Sequence, residues 1–325
     1  MSTETPLVSV RMSTYNHEKY IAQAIEGVLM QKTNFPFELI IGEDCSTDRT
    51  REIVVDYSNR YPNIIKPILQ EKNVGMRANG RATREASSGK YVALCEGDDY
   101  WIDPFKLQKQ VDFMEKHLDF SMCFHRARKV DEQGRELGTF WPKKSWNKPI
   151  TTTEDIIEGN YISTQTVVYR RGLFDQQLFD ILAEGLSFGD WVLHILNSLH
   201  GRIMFLDESM AAYRVTETGA SGTTTRIKLQ SDILTLYERM EFHLGSQFPI
   251  KKIVQFKNRR LLILARLNAE KGENELARNY LEQSKKNNDK FFANFKLKAA
   301  AYLSIYYPWI YSITKKAYRL TRTFR

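Results

Sequence analysis

Three carboxylates fall within four residues at Glu96-Gly97-Asp98-Asp99, between the apolar run Tyr91-Val92-Ala93-Leu94-Cys95 and Tyr100-Trp101. Like charges crowded at the end of a buried strand repel one another, and desolvation adds to the cost. Such a cluster is kept where a cation neutralises it, and the cation suited to oxygen ligands is hard: Mg²⁺ or Mn²⁺. A fourth carboxylate, Asp190 in Phe188-Gly189-Asp190-Trp191, opens a helix whose apolar face is Val192, Ile195, Leu196 and Leu199. An ionised carboxylate there, within hydrogen-bond reach of an acceptor hydroxyl, has the chemistry of a general base. The competing reading of Asp190 is a helix cap.

These groups need elements to hold them. Leu7 to Met12 reads as a strand, followed by Ser13-Thr14-Tyr15-Asn16 and a helical stripe of Ile21, Ala24, Ile25, Val28 and Leu29. The unit repeats as the apolar stretch Phe37 to Ile41, the loop Glu43-Asp44-Cys45-Ser46-Thr47-Asp48, and a helix carrying Ile53, Val54, Tyr57 and Tyr61, with Asp48 as its cap. Ile64 to Leu69 and Tyr91 to Cys95 predict two more strands, with a helix ending near Gly89 between them. Strands alternating with helices imply a parallel sheet covered on both faces, whose ligands bind beyond the carboxyl ends of the strands. Thr14-Tyr15-Asn16, Glu43-Asp44 and Glu96 to Asp99 all fall on that rim. Neither GxGxxG nor a Walker phosphate loop is present, which argues against a dinucleotide oxidoreductase or a P-loop NTPase.

Farther on, Asp103-Pro104 signals a helix start, with Leu107, Val111, Met114 and Leu118 on its apolar face. Phe120 to Phe124 and Thr166 to Tyr169 predict strands, and Thr153-Glu154-Asp155 a short helix. The six histidines show no metal-binding spacing, and Arg81 and Arg84 fit either a phosphate contact or a solvated helix face.

The succession Val8-Ser9-Val10, Thr14-Tyr15-Asn16, Glu43-Asp44-Cys45-Ser46-Thr47-Asp48, Asn73-Val74-Gly75, Gly89-Lys90-Tyr91 and Glu96-Gly97-Asp98-Asp99 resembles glycosyltransferase family 2 over the first two-thirds of the chain. The resemblance implies an α/β fold of the GT-A type, a Rossmann-like, mostly parallel central sheet flanked by helices, and metal-dependent, inverting sugar transfer. It implies a nucleotide-sugar site at Thr14, Tyr15, Asn16, Asp44 and Asp98: Thr14 and Tyr15 at the nucleoside, Asp44 at the base, Asp98 and Asp99 at the ribose and the metal-bound diphosphate. Asp98, Asp99 and Glu96 become the metal set, and Asp190 matches the acceptor base. Two positions depart from the family pattern. Glu96 stands where Asp is usual, and Tyr213-Arg214-Val215-Thr216 lacks the histidine of Tyr-Arg-x-His. The expected donor is a nucleoside-diphosphate sugar, UDP first, and the expected acceptor a glycan or lipid-linked glycan of surface polysaccharide synthesis. A sugar nucleotidyltransferase and a binding protein without turnover are the alternatives.

Composition fits one sizeable core with a smaller addition: 325 residues, 42% hydrophobic. Residues 1–225 read as the catalytic domain, with 1–102 for the donor and 103–225 for the acceptor. Residues 226–325 read as an all-helical C-terminal region. Cys45, Cys95 and Cys123 suggest reduced thiols and a cytoplasmic protein, and Met1 to Pro6 shows no secretion signal. Of the 47 basic residues, 8 lie in 290–325, where there is no acid, and the remaining 39 match the 39 acids elsewhere. Ala299 to Thr314 is uncharged and aromatic but, at 16 residues and broken by Pro308, too short to span a bilayer. With Lys315, Lys316, Arg319, Arg322 and Arg325 behind it, 299–325 reads either as a peripheral membrane contact or as a docked helix with a solvated basic end. No nucleic-acid reader motif accompanies the charge, so nucleic acid is not expected as a partner.

Overall fold

A computed structural model describes residues 5–216, 224–245, 250–286 and 295–314. The predicted alternation is present at the start. The elements are β1 (Val8–Thr14), α1 (Ile21–Leu29), β2 (Phe37–Glu43), α2 (Thr50–Arg60), β3 (Ile65–Leu69), α3 (Gly75–Glu85) and β4 (Tyr91–Leu94). Next come β5 (Tyr100–Trp101), α4 (Lys106–Lys116), β6 (Phe120–Val130), β7 (Glu136–Trp141), β8 (Ile150–Thr151), α5 (Thr153–Ile156), β9 (Val168–Arg170), α6 (Gln176–Ala183), α7 (Asp190–Ser198) and β10 (Arg202–Arg214). The strands form one sheet in the order β3-β2-β1-β4-β9-β6-β10-β5, with β7 beside β6 and β8 beside β10. β3, β2, β1 and β4 are mutually parallel. β9 runs antiparallel between β4 and β6, so the sheet is mixed beyond β4.

Several boundaries moved for local reasons. α3 ends at Glu85 rather than near Gly89, because Gly89 lies against β1, where a Cβ would stand 2.6 Å from the Ser9 nitrogen. α4 begins at Lys106, although Asp103 Oδ1 accepts the Phe105 amide at 2.8 Å. Asp48 accepts the Thr50 amide at 2.9 Å at the start of α2 and also the Glu18 amide at 3.0 Å. β6 continues past Phe124, where Arg126 donates to Asp207 at 3.0 Å and to the Pro142 carbonyl at 2.8 Å.

The chain divides into two compact units, Met1–Phe179 with Gly189–Gly222, and Asp180–Phe188 with Thr223–Arg325. The first is organised around Val10, Met12, Ile25, Leu39, Ile41, Ala93 and Trp101, which are buried between the sheet and its helices. The second contains α8 (Arg226–Leu244), α9 (Ile250–Glu270), α10 (Asn274–Lys286) and α11 (Phe295–Tyr306). Leu262, Ala265, Ala277, Leu281, Ala301 and Ile305 form a core there. Asp180–Phe188 is tied to α8 by the Ser187 amide, which donates to Asp232 Oδ2 at 2.9 Å. No described helix is long and apolar enough to cross a membrane.

Lys106 is an anomaly in the first core. It is fully buried, its Nζ has no hydrogen-bond partner among the described residues, and the ammonium lies 4.0 Å from the Trp101 ring centroid. Burial pulls it from 10.5 down to about 7, against the opposing influence of Cys95 and Cys123. That fall corresponds to ~5 kcal/mol at roughly 1.4 kcal/mol per pH unit. Below about pH 7 the folded and unfolded states both carry the proton, and the cost is present in full. Between 7 and 10.5 the unfolded state binds more protons, so stability rises with pH. Lys106→Met, which also forfeits the cation–π contact, is expected to gain ~2–4 kcal/mol in urea melts at pH 6 and almost nothing near pH 10.

Candidate active site

The rim at the carboxyl ends of β1, β2 and β4 is built by loops that bind one another. After β1 the chain turns through Asn16, in the left-handed region at φ 55°, and after β2 through Cys45 at φ 57°. The Asn16 amide donates to Ser46 Oγ at 3.0 Å, and Asn16 Oδ1 accepts the Thr47 amide at 2.9 Å. The His17 amide donates to Thr50 Oγ1 at 2.8 Å. Asn16 is therefore the clasp between two loops. Tyr15, beside it, is 42% exposed and is the large aromatic that this loop leaves on the surface.

Thr14 is buried, with Oγ1 3.2 Å from His17 Nδ1. Both atoms face Gly97 of the carboxylate loop, where a Cβ would come within 2.7 Å of the Thr14 hydroxyl and 2.9 Å of His17 Nδ1. Only glycine lets Glu96 to Asp99 close onto β1. The Gly97 amide completes the contact by donating to the Ser13 carbonyl at 3.0 Å.

Asp44 is buried, and its two oxygens accept the amides of Val74 at 2.7 Å and Gly75 at 2.9 Å. Its carboxylate thus holds the start of α3, where the helix dipole favours negative charge. Neighbouring Glu43 pairs with Arg51 and accepts the Ser46 amide at 2.7 Å.

The three clustered carboxylates separate into two kinds. Asp99 faces the interior: Oδ1 accepts the Arg214 amide at 2.8 Å, and burial together with the charge of Asp98 pushes it well above the usual carboxylate range. Glu96 and Asp98 are half-buried on the rim. Burial, then the charge of Asp98, and finally that of Asp190 raise Glu96 to about 7, against the Arg11 guanidinium and the Ser13 backbone. Among the described residues no group of three His, Cys, Asp or Glu converges on a metal position. Two crowded rim carboxylates do fit a small hard cation, since Mg²⁺ is commonly bound by one or two carboxylates plus substrate phosphates.

Asp190 lies in the first turn of α7. Its Oδ2 accepts Asn160 Nδ2 at 2.9 Å and Thr164 Oγ1 at 3.4 Å, and its Oδ1 accepts the Trp191 amide at 2.8 Å. One turn on, His194 is buried with Nδ1 3.4 Å from Asn160 Oδ1, and burial lowers it to about 4, against the charge of Asp190. A neutral imidazole and an amide thus back a half-buried carboxylate whose charge reaches Glu96. The expected cap is only partly realised, because the one helix amide it accepts is its neighbour's.

Arg214 was not among the residues singled out as functional. Its Nε donates to the Asp98 carbonyl at 2.9 Å, Nη1 to the Glu132 carbonyl at 2.9 Å, and Nη2 to Gln23 Oε1 at 2.7 Å. The guanidinium also lies 4.6 Å from the Tyr20 ring centroid. In the sequence, the Tyr-Arg-x-Thr element drew notice for its missing histidine, while the signal was the arginine. Arg84, left open between phosphate and solvent, stacks 4.7 Å over Phe179.

A family model described as Glycosyl transferase family 2 matches residues 9–177, which contain all of the rim loops. The chain belongs to glycosyl transferase family 2. An uncharacterized protein of Mycobacterium tuberculosis is 41% identical to this family 2 chain over 207 residues, covering 64% of the chain and 58% of that protein. The chain thus spans a little over half the length of its mycobacterial relatives. The putative teichuronic acid biosynthesis glycosyltransferase TuaG of Bacillus subtilis is 29% identical over 222 residues, covering 68% of the chain and 84% of TuaG. Among solved structures, S. aureus TarS 1-349 in complex with UDP-GlcNAc superposes with a TM-score of 0.66 at 20% identity, over 91% of the chain and 86% of TarS 1-349. The mannosyltransferase PcManGT of Pyrobaculum calidifontis, in complex with GDP-Man and Mn²⁺, gives 0.55 at 16% identity, over 97% and 85%. These likenesses establish the GT-A fold.

Proposed function

We propose that this family 2 chain transfers a sugar, with inversion, from a nucleoside-diphosphate donor to a hydroxyl of a glycan or lipid-linked glycan in surface polysaccharide synthesis. The observation that carries the proposal is the sheet edge that gathers an exposed aromatic, Tyr15, with the half-buried carboxylates Glu96 and Asp98, where the charge of Asp190 at the start of α7 also acts on Glu96. Residues 1–102 hold the donor in this reading, and 103–225 present the acceptor. Tyr15 meets the nucleoside beside the buried Thr14, and Asn16 keeps that loop in place. Asp44 acts on the base pocket by fixing Val74 and Gly75 rather than through a free carboxylate. UDP is the first candidate, being the nucleotide carried in the TarS complexes.

Asp98, with Glu96 beside it, is the pair to hold Mn²⁺ or Mg²⁺, and a bound cation supplies charge neutralisation of the diphosphate. Asp99 supports this loop through its bond to the Arg214 amide. Asp190 takes the proton of the acceptor hydroxyl. The hydroxyl oxygen bonds to the anomeric carbon as the bond from that carbon to the diphosphate oxygen breaks on the opposite side. Asn160 holds the carboxylate Oδ2 in place during the transfer.

Thermal unfolding with UDP, GDP and dTDP, each with and without Mn²⁺, tests the reading. UDP with Mn²⁺ is expected to raise the melting temperature most, since a ligand at about 100 times its Kd adds ~2.7 kcal/mol. No shift with any nucleotide overturns it.

A further inference from the structure

The loop that follows β7 is basic, aromatic and free of acid. Between Glu136 and Glu154 the sequence carries Trp141, Lys143, Lys144, Trp146 and Lys148, and no carboxylate. Trp141 pairs with Ala127 of β6 and is 37% exposed, and Lys143 and Lys144 beyond it are exposed. Arg126 donates to the Pro142 carbonyl at 2.8 Å and also to the Lys143 carbonyl, so the start of the loop is pinned to β6. The surface owes nothing to the basic C-terminal segment, whose Lys315, Lys316, Arg319, Arg322 and Arg325 lie outside the described residues.

Its lysines are positioned by rings rather than by acids. Lys129 Nζ lies 4.9 Å from the Trp141 ring centroid and 5.9 Å from that of Tyr213, and Lys144 Nζ lies 4.6 Å from that of Phe140. Nearby acids have other partners: Glu136 pairs with Arg128, Asp207 with Arg126, and Asp155 with Lys148 at 2.8 Å. Among the described residues no carboxylate pairs with Lys129, Lys143 or Lys144. A ring face holds an exposed ammonium with ~0.5–1 kcal/mol and leaves its charge uncancelled. Placed positive charges with aromatic rings between them suit an anion that also has a surface to stack.

The connections of this surface decide the occupant. Trp146 stacks on Tyr161 with ring centroids 4.7 Å apart, and its Nε1 donates to the Lys148 carbonyl at 2.8 Å. Tyr161 follows Asn160, which donates to Asp190 Oδ2 at 2.9 Å. Tyr213 precedes Arg214, which donates to the Asp98 carbonyl at 2.9 Å. The basic aromatic surface is thus tied, through one residue at each end, to the carboxylate assigned as base and to the carboxylate loop. A bilayer is the poorer fit, because membrane contact buries apolar side chains below the headgroups, whereas the Trp146 ring is held against the protein. A sugar packs the C–H face of its ring on a fixed aromatic.

We infer that Lys129, Lys143 and Lys144, with Trp141 and Trp146, form an acceptor subsite for a glycan that carries negative charge as phosphate or carboxylate. The ammoniums take the anionic groups, and the indoles take the sugar rings. Lysine acts as a point charge without the fixed fork of arginine, so either group is accommodated. That the glycan is the acceptor rests on the proposed function, and the recognition of an anionic glycan stands on the surface itself.

Biolayer interferometry of the full chain on immobilised phosphomannan, polygalacturonate and neutral mannan tests the inference, with phosphomannan and polygalacturonate separating phosphate from carboxylate. Binding is expected to one or both anionic glycans and not to neutral mannan, and is expected to weaken as salt rises. Lys143→Gln/Lys144→Gln, altered only at exposed positions, should lose about fivefold or more in affinity. Trp141→Ala should lose about threefold, and Trp141→Phe should restore the binding. The melting temperature of the double lysine variant and its UDP-induced shift should equal those of the wild type, which separates failure of this surface from failure of the donor site. Equal binding to neutral mannan overturns the inference, as does the absence of binding to both anionic glycans or an affinity that the lysine variant leaves unchanged. So does equally tight binding of a charge-matched oligothymidylate, which would mark a general polyanion surface.

Discussion

Asp190→Asn is expected to lower kcat for sugar transfer by ~10²–10⁴-fold, the range that a positioned general base contributes. The substitution is nearly isosteric, and its single oxygen keeps either the Asn160 Nδ2 contact or the Trp191 amide contact, neither of which involves the residues assigned to the donor. Donor KM should therefore change by no more than about twofold, and the loss should fall on kcat. The acceptor hydroxyl would still reach the site but would have no group to receive its proton. Steady-state kinetics with a saturating donor make the measurement. A variant that transfers at the wild-type rate would place the base elsewhere and leave Asp190 as a first-turn residue of α7.

Arg214→Ala has the largest expected structural effect. Arg214 is 4% exposed and ties together the Asp98 carbonyl, the Asp131 and Glu132 carbonyls, and Gln23. Hydrogen bonds from a charged donor contribute ~1.5–3 kcal/mol each, and buried carbonyls left unpaired cost more than the bonds alone. A loss of ~3–5 kcal/mol in urea unfolding is expected, comparable to breaking a buried ion pair. The Asp99–Arg214 bond survives because it runs through the backbone, so the carboxylate loop loses its brace on Asp98 but keeps its anchor at Asp99. Arg214→Lys should recover less than half of the lost stability, because one ammonium cannot replace a planar fork of five donors. Wild-type stability in Arg214→Ala would mean that these carbonyls are satisfied by water.

The sequence disclosed residues 1–102 well because strand, loop and helix alternate there with clear apolar stripes. It could not disclose direction: nothing in Val168-Tyr169-Arg170 distinguishes a parallel from an antiparallel neighbour. β6 was cut short because His125 and Arg126 look like loop residues until Asp207 and the Pro142 carbonyl are seen to receive the guanidinium. The clustered carboxylates were legible as a group but not as individuals. The Asp99 side chain faces the core because a strand more than 100 residues later brings an amide to it. Likewise Asn160 has no motif around it, and its tie to Asp190 exists only after folding. Asp180–Phe188 falls with the C-terminal helices although no change in composition marks its edges.

The place of β10 in the sheet has a consequence for synthesis. Trp101 pairs with Ala211, so β5 and the carboxylate loop before it wait for about 110 further residues to leave the ribosome. At ~5–20 residues per second that interval is about 5–20 s. During it the nascent first half of the sheet already displays Asp98 and Asp99 without the amide and guanidinium of Arg214, and β6 has no β10 alongside. The β5–β10 edge, with the contacts of Arg214 to Asp98 and Asp99, is therefore the last part of the sheet to close, after the loops of the rim have bound one another.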